Sequence, residues 1–344
     1  MKSTQKASAP PISGAVTGGP EVAGGPAVQT DVQAFLEALK AAGGPPMETL
    51  SPAAARAVLA GAQKSVEVAL PACTVEIKTI TAGDVEIPLH IVRPEGAAGL
   101  LPVFMFFHGG GWVLGDYPTH ERLVRDLVVE SGASAVFVNY TPSPEAQYPV
   151  AIGEAFAATQ WVAAHGAEIG VDGSRLAVAG NSVGGNMAAS VALRAQKEGG
   201  PAIAFQLLLW PVTNAEFDTD SYKTYATGHF LTRDMMLWFW DNYTTDPNDR
   251  GESLASPLQA TLDRLAGLPP ALIQVAECDV LRDEGLAYGR LLDQAGVAVT
   301  VSEYHGMIHD FGLLNPLAHL AGTRSAMRQA GAELRSHLAA RPAP

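Results

Sequence analysis

Arg175-Leu-Ala-Val-Ala-Gly-Asn-Ser-Val-Gly-Gly-Asn-Met-Ala-Ala-Ser190 is the stretch from which the fold can be read. Leu176 to Ala179 is a short apolar run centred on Val178, the pattern of a buried strand. From Val183 to Lys197 the chain is rich in Ala, Met and Leu, which favours a helix. Between them lies Gly180-Asn-Ser-Val-Gly184, a G-x-S-x-G turn. A serine at a tight strand-to-helix turn has its backbone in a sparsely populated region and its hydroxyl at the end of the sheet. The amides at the start of the following helix point at the same spot, with a partial positive charge. That arrangement suits a nucleophile whose substrate develops an oxyanion. Taken alone the motif is weak, because a glycine-rich turn can simply pack a helix on a sheet. Its context decides.

Outward from this turn, strands and helices alternate. Thr74 to Ile80 and Val85 to Val92 read as an antiparallel pair joined by Ala82-Gly83-Asp84. Val103 to Phe107 and Ala133 to Tyr140 are continuous apolar runs, as central strands require, with a helix from Thr119 to Ser131 between them. The order continues as helix 148–165, strand 175–179, helix 183–197, strand 203–209, strand 271–276, helix 282–295, strand 297–303 and helix 316–339. This predicts a mostly parallel, eight-stranded α/β sheet with helices on both faces, and a site at the carboxyl ends of the strands. Two helices precede it: Val32 to Ala42, with Asp31 as N-cap, and Pro52 to Gln63, capped by Ser51. Residues 1–28 are mostly Gly, Pro, Ala, Ser and Thr and are expected to be disordered.

Composition sets bounds. Among 344 residues, 47% are hydrophobic, enough for one large α/β domain with additions. A net charge of −13 argues against nucleic acid and anionic membrane surfaces as partners. The sequence has no apolar run long enough to span a membrane, and no apolar stretch follows Lys2 and Lys6 as a secretory signal needs. The only cysteines are Cys73 and Cys278, so no disulfide framework is implied and a cytoplasmic location is the simplest expectation.

Straight after the third strand comes His108-Gly-Gly-Gly-Trp112, whose glycines leave amides free to point at a ligand. An oxyanion hole beside a nucleophile elbow takes one amide from the residue after the serine, here Val183, and others from such a loop. An acid and a histidine should follow in that order. Asp279 stands at the carboxyl end of the strand ending at Cys278; its rival Asp283 falls in the next helix and should point to solvent. His309 and His305 compete for the role of base in the stretch His305-Gly-Met-Ile-His309.

His108-Gly-Gly-Gly-Trp112, Gly180-Asn-Ser-Val-Gly184, Asp279-Val-Leu-Arg-Asp283 and the His309 loop together resemble the hormone-sensitive-lipase-like (family IV) carboxylesterases of the α/β-hydrolase superfamily. The resemblance covers nearly the whole chain after residue 30. It implies a serine esterase acting on short- to medium-chain esters, with Ser182 as nucleophile, Asp279 as orienting acid and His309 as base. Gly109, Gly110 and Val183 would supply the oxyanion amides, with no cofactor and no metal. It also implies N-terminal cap helices at 29–68, a catalytic domain at 69–210 and 266–344, and a cap insertion at 211–265. A dimer is common in that family, which makes a homodimer one assembly open to this chain. The aromatic cap makes Phe35, Trp112 and Trp238 candidate contacts for a small apolar ester group.

The chain departs from the family pattern at two positions beside the nucleophile. The usual Asp before the serine is Asn181, and the usual Ala after it is Val183. Asn keeps hydrogen-bonding capacity but loses a charge, and Val adds bulk beside the oxyanion site. Hydrolysis of amides, lactones or carbamates by the same three residues is the main alternative. A non-catalytic small-molecule receptor on this fold predicts a broken triad, whereas every position here is filled. A dinucleotide enzyme would need G-x-G-x-x-G spacing, which neither glycine-rich turn has.

Overall fold

A computed structural model describes residues 28–83 and 85–339. The expectation of disorder for residues 1–28 falls almost wholly outside these, as does Asp84 of the first turn.

Eight strands form one sheet in the order β1-β2-β4-β3-β5-β6-β7-β8. They are β1 Cys73–Ala82, β2 Val85–Pro94, β3 Leu101–Phe107, β4 Ser134–Val138, β5 Val171–Asn181, β6 Gln206–Leu209, β7 Ala271–Cys278 and β8 Val299–Ile308. β1 pairs antiparallel with β2, and β2 antiparallel with β4. Every other neighbouring pair is parallel. The parallel centre is buried on both faces, which is why Val103 to Phe107 and Ser134 to Val138 carry no polar alternation.

The flanking helices are α3 Tyr117–Ser131, α4 Val150–His165, α5 Val183–Glu198, α9 Arg282–Gln294 and α10 Ala321–Leu338. α3 starts two residues earlier than its apolar pattern suggests. Asp116 accepts the Thr119 amide while Thr119 Oγ1 accepts the Asp116 amide, a reciprocal cap that fixes the start. α1 Thr30–Ala42 and α2 Pro52–Lys64 precede the sheet. Asp31 is not the N-cap of α1: Gln29 is, and Asp31 lies in the first turn, where its charge suits the helix dipole.

α2 is fastened to the body near the carboxyl ends of the strands. Arg56 of α2 donates to the Val113 and Ser143 carbonyls and forms a bidentate pair with Glu145. Gln63 donates to the Leu313 carbonyl, and its side-chain oxygen accepts the Asn315 amide. Between β6 and β7 the chain leaves the sheet and forms α6 Asp220–Thr224, α7 Arg233–Tyr243 and α8 Leu262–Leu265. Buried Glu284 holds the start of this insertion by accepting the Thr213 amide. Asp283 does not point to solvent as expected. Its carboxylate accepts the Ser221 amide at 2.7 Å and so anchors α6.

No helix among the described residues is long and apolar enough to cross a membrane.

Candidate active site

β5 delivers Ser182 to the carboxyl edge of the sheet, and α5 departs from it. Ser182 has φ 56° and ψ −122°, a conformation that non-glycine residues rarely adopt. The sharp turn brings β5 and α5 so close that neither flanking glycine has room for a side chain. A Cβ on Gly184 would collide with the Phe107 carbonyl, and one on Gly180 with the Gly184 carbonyl.

His309, just past β8, places Nε2 3.0 Å from Ser182 Oγ. Its Nδ1 lies 2.7 Å from Asp279 Oδ2, at the end of β7. An ionised carboxylate only accepts, so Nδ1 carries the proton and Nε2 is left to accept the serine hydroxyl. The other Asp279 oxygen accepts the Leu281 amide at 3.0 Å, which orients the carboxylate. All three side chains are buried. Burial by itself lowers the basicity of His309, but Asp279 and then Asp310 outweigh it, and the net shift is upward.

The two rivals part clearly. His305 belongs to β8, is 80% exposed, and faces Glu277 at 3.3 Å and Glu303 at 3.7 Å. His309 alone meets the serine.

The His108–Trp112 loop follows β3. Buried His108 stacks on Tyr140 at 4.1 Å, and the Tyr140 hydroxyl donates to the His108 carbonyl. One expectation for this loop changes. The Gly109 amide is not free: it donates to Asn181 Oδ1 at 3.0 Å. The amides of Gly110 and Gly111 meet no acceptor among the described residues, and the amide of Val183, at the first position of α5, has no intrahelical partner. Gly111 was missed because three consecutive glycines do not reveal which amide a side chain elsewhere will occupy.

The insertion covers this loop. Trp112, with φ 59°, is fully buried; it stacks on Tyr243 and meets Trp240 edge-on. Its indole is enclosed by aromatic neighbours instead of facing an open cleft. Phe239 of α7 lies against Gly111 so closely that a Cβ there would collide with its ring. Trp238, half-buried, neighbours Phe239, and half-buried Phe35 of α1 faces Phe230 of the insertion at 6.2 Å. Nothing in the sequence distinguished Phe239 from the apolar residues beside it.

Residues 104–313 match the model of a family with the α/β-hydrolase fold. The chain belongs to the α/β-hydrolase family. Within it, the hormone-sensitive-lipase-like branch read from the motifs holds. The chain is similar to the solved structure of a thermostable esterase from Pseudomonas putida ECU1011, with 64% identity and a TM-score of 0.91 over 92% of this chain and 100% of that one. A carboxylesterase of Mycobacterium tuberculosis is 39% identical over 243 residues, 69% of this chain and 75% of the relative. An ethyl acetate hydrolase of Pseudomonas putida is 35% identical over 243 residues, 70% of this chain and 76% of the relative.

Proposed function

We propose that this α/β hydrolase is a serine carboxylesterase that cleaves small carboxylic esters, of short to medium acyl chain, through an acyl-enzyme. The observation that carries the reading is the unbroken hydrogen-bonded chain from Ser182 through His309 to Asp279. The carboxylesterase and ethyl acetate hydrolase among its relatives support the substrate class.

In this reading His309 Nε2 takes the Ser182 proton as Oγ attacks the ester carbonyl, and Asp279 stabilises the imidazolium. The carbonyl oxygen becomes an oxyanion held by the Gly110, Gly111 and Val183 amides. One such donor is typically worth about 3–4 kcal/mol. His309 then returns the proton to the departing alcohol. Water, activated by the same nitrogen, attacks the acyl-enzyme; Ser182 is released and the free acid leaves.

The N-terminal helices 29–68 and the insertion 211–265 form the cap, with Phe35, Trp238 and Phe239 bounding the ester pocket and Trp112 bracing it from behind. Unpaired Cys73 and Cys278 suit a reducing compartment, and we assign the chain to the cytoplasm. The family resemblance makes a homodimer one assembly open to this chain.

Rapid quenching with p-nitrophenyl acetate, followed by peptide mass spectrometry, tests the covalent step. An acetyl group on Ser182 supports the reading. Turnover with no acylated serine would overturn it.

A further inference from the structure

Directly after His309 stands Asp310, a buried carboxylate with no role in the reaction as set out above. Its φ is 58°, so the backbone turns back here and directs the side chain into the site. One oxygen, Oδ1, accepts from Trp210 Nε1 at 2.7 Å and from Asn181 Nδ2 at 2.9 Å. The other, Oδ2, lies 3.8 Å from His309 Nε2, the nitrogen that faces Ser182.

Asn181 is therefore shared between two loops. Its side-chain oxygen accepts the Gly109 amide and its nitrogen donates to Asp310. An aspartate, usual here in the resembling family, could not do both. It has no N–H to offer, and it would set two carboxylates side by side. The departure at 181 and the carboxylate at 310 complement each other.

We propose that Asp310 is a second carboxylate partner of His309, a positioning residue on the Nε2 side, and that Asn181 and Trp210 hold it there. The proposal rests on the triad reading above. At 3.8 Å, Oδ2 is too far to take the Nε2 proton in a hydrogen bond, so that proton stays available for the leaving alcohol. Asp310 acts through its charge, which counts for more in a buried site than in water. The imidazolium formed during attack is then flanked by Asp279 on one side and Asp310 on the other.

The groups facing His309 are few. Ser182 comes from the turn between β5 and α5, Asp279 from the end of β7, and Asp310 from the histidine's own turn. Glu284 and Tyr222 lie behind Asp279. Asp279 and Asp310 are the two charges that raise the basicity of His309 against burial.

Asp310→Asn keeps the shape and both acceptor bonds while removing the charge. The acidic limb of kcat/KM for p-nitrophenyl acetate should move down by about one pH unit, the lower end of the shift an adjacent opposite charge produces. The titration of His309, followed without substrate by the NMR resonance of its Nδ1 proton, should move with it. Asp310→Ser removes the same charge with a smaller side chain and should give the same shift, so misfolding of one variant leaves the other to decide. Reduced turnover with both titrations unchanged would make Asp310 a structural residue only and overturn the proposal. A wild-type enzyme without turnover would instead strike at the esterase reading, and the NMR titration would still decide the role of Asp310.

Discussion

The rings of Trp112 and Tyr243 lie face to face, 3.8 Å apart at their centroids and 1° from parallel. One belongs to the loop carrying Gly110 and Gly111, the other to the last turn of α7. The Tyr148 amide donates to the Tyr243 carbonyl, so the stack is fixed from the backbone as well. The segment between β6 and β7 thereby sets the position of the loop whose amides are assigned to the oxyanion.

Tyr243→Ala should therefore cost more than stability. Truncating a buried aromatic typically costs about 3–5 kcal/mol. Beyond that, kcat should fall more than KM rises, because the loop amides matter most in the transition state. Tyr243→Phe keeps the stack and should behave like wild type, since the buried Tyr243 hydroxyl has no hydrogen-bond partner among the described residues. Thermal melts and steady-state kinetics on both variants check this. Equal losses in the two would place the effect on the hydroxyl instead.

Val183 occupies the first position of α5 and is fully buried. Its amide is independent of its side chain, so Val183→Ala should leave the oxyanion donor in place and widen the acyl pocket. The expected outcome is a shift of the kcat/KM optimum toward longer acyl chains, with a stability loss of about 2 kcal/mol from two missing methyl groups. A chain-length profile identical to wild type would assign Val183 to packing alone.

His108 makes stability depend on pH. Burial pushes its pKa down to about 4, and buried His120 is lowered as well. Unfolded histidines bind a proton below about 6.5, while the folded chain keeps these two neutral. Between about 6.5 and 4 the unfolded state thus holds more protons, and stability falls as pH falls. His108 alone should contribute about 1.4 kcal/mol of loss for each pH unit in that window. Urea titrations at pH 7 and pH 5 should show this drop, and a His108→Asn variant should show a shallower one. An unchanged slope in the variant would contradict the assignment.

Much of this molecule is legible in its sequence, and the reasons are local. β3 and β4 are apolar runs that only a doubly covered sheet can bury, and G-x-S-x-G between an apolar run and an Ala-rich stretch specifies a strand, a turn and a helix. The motif favours His309 over His305; the structure sets the His309 Nε2 3.0 Å from Ser182 Oγ and leaves His305 exposed. What escaped detection depends on contacts between distant segments. Asp283 looked like a helix surface residue until Ser221 folded back onto it. Gly109 looked like a free donor because its partner, Asn181, lies 72 positions away. Trp112 looked like a substrate contact because no spacing rule predicts that Tyr243 will cover it.

Ser182 is proposed as the nucleophile of a short-chain esterase. The most direct measurement is hydrolysis of p-nitrophenyl esters from acetate to palmitate by wild type and Ser182→Ala side by side. Turnover on the short chains should vanish in the variant while its melting temperature stays near that of wild type. Substantial turnover by folded Ser182→Ala would contradict that role.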